Sequence, residues 1–427
     1  MKKTLALFFS LILLCSCGQK KVADDSTLLS IQIIDRNGFA ETVSSKDRLS
    51  RYQNTDFITP QPYQKVLRVF GKNQEGRSTS KLTSYHSNGH IWQYLEVVDG
   101  RAQGAYREWF PNGHQKMEFS IIEGAADLSE SSLASWVFNG KNTIWDDRGA
   151  LVAEIFYEKG ALEGDSLYYY PEGSLKKRIP YSQDMLEGSI CIYSPQGEIL
   201  ENISYLNDKP HGNAFAITEE GKPIYKELYE TGLLIEGYYY VGDTLAASIQ
   251  NGYGKRAEFE EGKLTRLVEY KKGLPEGVVE CFNDKGLLQI AYHQKDGKKN
   301  GEEREYYLEA PFKEKILVSW QDDTLQGIVK TWFPDGMQES QKEMYQNKKN
   351  GLSFAWYKNG DLMLSEEYEN DYIVVGSYYK KGDKKPVSRI VKGKGTATLY
   401  DSEGYFLKKI PYEKGIPILD HDKANDH

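Results

Sequence analysis

Cysteine is scarce: four occur in 427 residues. That excludes a fold held by a disulfide framework. Cys15 and Cys17 end an apolar leader, while Cys191 and Cys281 lie at least three repeats apart. In a sheet this is roughly 30 Å, far beyond the ~7 Å a disulfide spans. Histidine is also sparse, and no two of His86, His90, His114, His211, His293, His421 and His427 have zinc-type spacing with a third ligand. His90 and His114 hold equivalent places one repeat apart, about 10 Å, too far to share an ion. An excess of positive charge is missing: the net charge is −8, and loss of Lys2 and Lys3 with a leader would make it −10. A nucleic-acid binder needs a basic stripe. No G-x-S-x-G, P-loop or dinucleotide glycine pattern occurs. Carboxylate pairs such as Glu219-Glu220 and Glu260-Glu261 fall at turns, where exposure does not raise a general acid's pKa. The sequence therefore points away from an enzyme and gives no metal, cofactor or small-molecule substrate site.

What is present is repetition. Gly149, Gly173, Gly197 and Gly221 are 24 residues apart, and Gly164, Gly188 and Gly212 share that spacing. Tyr157, Tyr181, Tyr205 and Tyr229 each follow a turn glycine by eight residues. Fixed periods of this length mark repeat proteins. Further turn glycines fall at Gly89, Gly113, Gly262, Gly286, Gly336, Gly360 and Gly404, with Ala310 in the step after Gly286. Pro, Asn, Asp or Glu usually precedes the glycine, as in Pro111-Asn112-Gly113 and Lys358-Asn359-Gly360, and such residues favour the bends of a hairpin. One repeat reads as one β-hairpin. Hydrophobic residues are 39% and aromatics 13%, which implies a thin, aromatic, half-wet core.

Ten places lie five residues after the second glycine set. Nine are aromatic: Trp109, Trp145, Tyr169, Tyr193, Phe282, Tyr306, Trp332, Trp356 and Tyr400, with Ile217 the exception. Recurrence once per hairpin puts them on one sheet face as an aromatic ladder. Of these, Trp109, Trp145, Tyr169, Tyr193, Trp332 and Trp356 are the candidate binding-face residues. Three units are longer, with 12, 17 and 20 extra residues before Gly149, Gly262 and Gly404. Insertions in repeat arrays map to loops on one face and can carry function; plain tolerated insertion explains them as well. Lysines bunch in loops at Lys271-Lys272, Lys298-Lys299, Lys348-Lys349 and from Lys380 to Lys385. If the hairpins register, these project from one edge, where they meet anionic headgroups or simply keep the edge solvated.

Tyr157-Glu158-Lys159-Gly160-Ala161-Leu162-Glu163-Gly164, followed by Tyr168-Tyr169-Tyr170-Pro171-Glu172-Gly173, resembles the MORN repeat in its bacterial, YwqK-type variant form. Lys209-Pro210-His211-Gly212, Lys298-Lys299-Asn300-Gly301 and Lys348-Lys349-Asn350-Gly351 match the lysine-x-(His/Asn)-Gly core. The resemblance covers roughly residues 66–415 and implies an all-β fold, a long twisted antiparallel sheet of tandem ~24-residue hairpins. A second glycine two places after the core glycine, usual in the eukaryotic form, is replaced by Ala214, Glu303 or Ser353, so a lipid-binding role does not carry over.

The first residues supply an address. Met1-Lys2-Lys3 is positive, and Leu5 to Leu14 is ten nearly all-apolar residues, too short to span a membrane. Leu14-Cys15-Ser16-Cys17-Gly18 resembles a bacterial lipobox, with Cys17 as the lipidated residue. Gly18 rather than Asp after it fits outer-membrane sorting in a Gram-negative bacterium. The expected layout is a signal peptide at 1–16, a lipidated cysteine and polar tether at 17–28, and strands with an irregular linker at 29–65. The hairpin array follows at 66–415 and a polar tail at 416–427. The expected function is a lipid-anchored envelope scaffold that binds an unidentified protein, or a glycan, without catalysis. Two rivals stand beside it: an antitoxin or immunity protein, as in the YwqK-type name, and anionic-membrane binding through Lys271, Lys298 and Lys348. Metabolic labelling should place fatty-acid label on the wild type and none on Cys17→Ala; label that persists in the variant removes the anchor.

Overall fold

The computed structural model describes residues 27–309 and 312–418. Cys17, the leader, most of the tether, the turn at Ala310, and His421 and His427 lie outside the described residues. Among the described residues there are 35 strands and two four-residue helices. No described helix is long and apolar enough to cross a membrane. Two compact units divide the chain, Met1–Ala161 and Leu162–His427.

The first unit starts with strand Leu28–Ile34, flanked antiparallel by Ala40–Val43 and Lys65–Lys72. From Lys65–Lys72 the chain meanders through Ser78–Tyr85, Ile91–Val98, Arg101–Trp109 and Gln115–Glu123, each antiparallel to the one before. Strand Gly140–Trp145 then pairs with Gln115–Glu123 and with Leu151–Glu158. The pattern-breaking segment from Arg48 to Pro62 forms the end of helix Lys46–Leu49 and a run of turns. Leu49 and Phe57 from it join Ile31, Val66, Tyr85 and Ile91 in a buried cluster, so the segment covers one face of the sheet. A second cluster holds Leu95, Tyr106 and Ile121 with Trp136, which comes from the first of the longer units.

The second unit is a strict antiparallel meander from Gly164–Tyr169 to Ile416–Pro417, as the hairpin period implies. The turn glycines act as expected. Gly173, at φ +93°, donates its N–H to the Tyr170 carbonyl at 2.9 Å, and the Tyr170 N–H meets the Ser174 carbonyl at 2.9 Å. Such a turn needs a left-handed residue at this place, and glycine takes it without strain.

At the other end of each hairpin, what reads as a loop to the next unit is also a tight two-residue turn. Asn207 and Asp208 have φ of +50° and +63°, and Thr231 and Gly232 +49° and +87°. Two consecutive positive φ values match the twist of the flanking strands. These turns lock onto one another along the chain. The Asp208 N–H donates to the Leu186 carbonyl at 3.1 Å, and the Leu186 N–H donates back to the Asp208 carboxylate at 2.7 Å. Asp184 with Leu162, Asp323 with Lys299, Asn347 with Leu325 and Asp371 with Lys349 repeat the pair. Where the earlier residue is Pro210, which has no N–H, the later one is Gly232, whose N–H reaches the Pro210 carbonyl at 2.8 Å.

The second glycine set marks bulges. Opposite strand Ile199–Leu206, the register slips between Ile203 and Tyr205, and Gly212 in the bulge has φ +85°. A bulge re-aims the neighbouring side chain. Here it turns His211 so that Nδ1 accepts the Thr231 N–H at 3.2 Å. Glu163, Glu187 and Gln326, each just before its core glycine, accept from Gln183, Asn207 and Gln346 at 2.9, 3.0 and 3.3 Å.

Most of the large, fully buried side chains of the second unit lie in its longer units, Tyr357 being an exception. Leu234, Tyr239, Ile249 and Ala257 form one cluster, and Tyr368, Ile373, Tyr378, Ile390 and Ala397 the other. Buried Glu227 accepts the hydroxyls of Tyr229 and Tyr239 at 2.9 and 2.7 Å and the Arg256 Nε–H at 2.7 Å. Glu366 repeats this with Tyr368 and Tyr378 at 3.0 and 2.8 Å. Glycine is required beneath each second tyrosine: a Cβ on Gly237 would lie 2.5 Å from the Tyr239 Oη.

Asp208→Ala should lower the urea midpoint by the equivalent of about 1–2 kcal/mol, because it removes an acceptor and strains a positive φ. Asp208→Asn should be near neutral, since Asn347 fills the equivalent role; equal losses in both variants would refute the pairing. Burial pushes the Tyr85 phenol up from 10.0 to about 12. The unfolded chain therefore ionises this group first, so its stabilisation is complete below pH 10 and is lost as pH rises through about 12. Titration followed by tyrosinate absorbance and circular dichroism should show a late ionisation phase coincident with loss of the β signal. Full ionisation near pH 10 with the sheet intact would contradict this.

Candidate functional site

Each candidate aromatic ends a strand: Trp109, Trp145, Tyr169, Tyr193, Trp332 and Trp356 close their strands just before the glycine turn. Register slips at Trp109, Tyr169, Tyr193, Trp332 and Trp356, which face Gln115, Leu175, Ile199, Gln338 and Leu362. All six are half-buried. Each ring is thus partly covered and partly open on the sheet. Phe354 stacks on Trp356 at 6.0 Å. At three of the six, a side chain from the preceding turn reaches the aromatic residue's own carbonyl, His86 doing so at Trp109. Tyr170 Oη donates to the Tyr193 carbonyl at 2.8 Å, and Tyr307 Oη to that of Trp332 at 2.6 Å. Sequence periodicity found the positions; it could not distinguish a ring facing solvent from one lying along the sheet.

The lysine edge is corrected in part. Lys298 and Lys348 are exposed. Lys299 instead lies over the Tyr292 and Trp320 rings at 4.9 and 5.1 Å and pairs with Glu303 at 2.5 Å. Lys349 lies over the Tyr368 ring at 4.5 Å. One lysine of each pair therefore packs on the sheet by cation–π attraction and is not offered to a surface.

A groove in the first unit, which the sequence reading missed, gathers more recognition chemistry than any single ladder position. Its floor is formed by residues of the strands Leu28–Ile34, Lys65–Lys72 and Ser78–Tyr85, and its wall by Ala126, Asp127, Leu128 and Ser129. The wall belongs to the first of the longer units. Lys65 and Asp127 form an ion pair that borders two adjoining hollows of about 180 and 470 Å³. The Lys65 ammonium holds the Asp127 carboxyl below the usual carboxylate range.

Trp92, 42% exposed, lines the larger hollow with Arg36, Gln64 and Gln93. Its ring stacks on His86 at 5.5 Å, and the His86 Nε2 lies 2.8 Å from the Trp109 carbonyl. Arg36 is fixed by its bond to the His86 carbonyl at 2.6 Å. Beneath, Ser84 donates to Gln93 at 2.9 Å, Gln93 to the Tyr106 hydroxyl at 3.1 Å, and Tyr106 to Glu108 at 3.0 Å. Lys116 pairs with Glu108 at 2.7 Å. Burial and the Glu108 carboxylate push the Tyr106 phenol well above its ordinary range. An exposed indole among fixed guanidinium, amide and carboxylate groups can hold a polar chain by stacking and hydrogen bonds. Only its indole and the 12 extra residues before Gly149 hinted at it in the sequence.

Cys191 and Cys281 are free thiols, and burial pushes the Cys281 thiol up. Among the described residues no three His, Cys, Asp or Glu side chains gather to hold a metal ion. No curated protein matches the chain. The MORN repeat variant family model matches residues 162–183, a stretch that includes the Gly164 bulge, the Gly173 turn, and Glu163 with the Gln183 N–H that it caps. The chain thus carries a MORN repeat variant within an all-β hairpin array.

Proposed function

We infer that this protein is a bacterial envelope lipoprotein, anchored at Cys17, whose hairpin sheet is a non-catalytic scaffold for a protein partner. The observation that carries the reading is the groove around Trp92, in which an exposed indole sits among side chains already fixed by their own hydrogen bonds. Preorganised groups lose little entropy on binding, and Trp and Arg are the side chains that most often dominate interface energy. The half-buried strand-end aromatics add rigid contact area along the same scaffold. The lipobox-like sequence at Cys17 supports the address, and the hairpin repeat supports a scaffold role.

Affinity purification of the tagged full chain from detergent-solubilised envelopes should recover a protein above the tagged control. Trp92→Ala should reduce that recovery about tenfold or more while leaving circular dichroism unchanged. Recovery of nothing above the control, or undiminished recovery with Trp92→Ala, would defeat the proposal. Release of the partner by soluble glycan would make the ligand a carbohydrate instead.

A further inference from the structure

In the second unit, strands Glu314–Gln321 and Thr324–Trp332 are joined by a turn at Asp322 and Asp323, and strands Gln338–Tyr345 and Lys348–Trp356 by one at Gln346 and Asn347. All four turn residues have φ between +48° and +64°. Three bonds hold the two turns side by side. The Asn347 N–H donates to the Leu325 carbonyl at 3.1 Å, the Leu325 N–H to the Asn347 carboxamide at 2.8 Å, and the Gln346 N–H to the Gln326 carboxamide at 3.3 Å. Between the turns is a hollow of about 540 Å³, lined by Gln321, Asp322, Gln326, Tyr345 and Gln346 among others. That volume lies within the range of small-molecule sites.

This pair of turns carries little charge. Gln321 and Tyr345 each end the strand before a turn, where the hairpins on either side have Lys295 and Glu369. No described lining residue is Lys, Arg or an aliphatic hydrophobe, and Asp322 is the one charged group among them. One Asp322 oxygen accepts the Asn300 amide at 2.9 Å; the other has no partner among the described residues. Tyr345 is 46% exposed, and Gln321 and Gln346 are exposed as well. Among the described residues no hydrogen bond engages the Gln321 or Gln346 side-chain amide or the Tyr345 hydroxyl. These groups are open to solvent without any movement of the chain.

A lining without cations does not select a phosphate or a carboxylate, and one without aliphatic side chains does not favour an apolar ligand. A side-chain amide presents two donor hydrogens and an acceptor oxygen at one terminus, which matches a hydroxyl that both donates and accepts. A tyrosine joins an apolar ring to a polar tip, which suits the C–H face and hydroxyl rim of a sugar ring. We propose that the hollow binds a neutral saccharide, its ring against Tyr345 and its hydroxyls shared among the Gln321 and Gln346 amides, the Gln326 Nε2 and the open oxygen of Asp322. The bonds between the turns fix the backbone beneath these groups, which limits the ordering cost of binding. The hollow belongs to the second unit and does not rest on the Trp92 groove of the first.

The test uses the full chain in a detergent that has no sugar headgroup. Glucose, N-acetylglucosamine, the trisaccharide of each, and glucose 6-phosphate are the probes, read by calorimetry and by NMR of the glutamine side-chain amides. At least one neutral sugar should bind saturably and shift the amide resonances of Gln321 and Gln346. Tighter binding of the trisaccharide identifies a glycan chain as the source, and equal binding a free sugar. Tyr345→Ala and Gln321→Ala should each weaken binding about tenfold, whereas Tyr345→Phe, which keeps the ring, should retain it. Binding of no neutral sugar, tighter binding of glucose 6-phosphate than of glucose, or wild-type binding by Tyr345→Ala would each overturn the proposal. Should Tyr345→Ala not fold, Gln321→Ala and the amide shifts in the unaltered chain still decide.

Discussion

Six hairpins of the second unit are set against their neighbours by a bond between turns. A two-residue turn with both φ values positive aims its second N–H at a carbonyl two residues beyond the preceding turn, and an Asp or Asn in that position receives an N–H in return. The residue before the core glycine caps the first N–H of the same turn. With most strands of six to nine residues and few fully buried side chains in the 24-residue units, these capped turns fix strand register where a thick core would otherwise do so. A slip of one residue would exchange the two faces of a strand. The turn bonds exclude that slip, which lets the faces between them stay polar and aromatic.

Density returns where the period breaks. Trp136 from the first longer unit seals the cluster around Tyr106, with ring centroids 4.7 Å apart. Tyr239 and Tyr378 in the other two fold over Gly237 and Gly376 to reach buried carboxylates. The two clusters differ in charge: Glu227 has Arg256 beside it, whereas Ala397 occupies the equivalent place near Glu366. The longer units therefore supply local cores, and the first also supplies the wall of the Trp92 groove. Recognition chemistry and burial gather in the same unit because an insertion is free of the repeat's geometric demands.

Much of the architecture was legible in the chain itself. Glycine at a 24-residue period has one physical use, a left-handed residue at a hairpin turn, so repeat length, strand count per repeat and all-β class follow from spacing alone. The aromatic at the end of each strand was equally visible. Its half-burial was not, because periodicity assigns a face and says nothing of what covers it. The role of His211 and of Glu163 and Glu187 before the core glycine was hidden for a related reason: their partners lie 20 residues ahead.

Sequence by itself determined the hairpin, since turn chemistry is local and each glycine or Asn-Gly pair acts on its own four or five residues. Tertiary structure alone decided which side chains meet across units. The Arg68–Lys81 opposition, the Lys65–Asp127 pair and the stacking of Lys299 and Lys349 on aromatic rings all depend on register between strands. Register is a property of paired strands rather than of any one strand, and so it becomes readable only when the sheet is assembled.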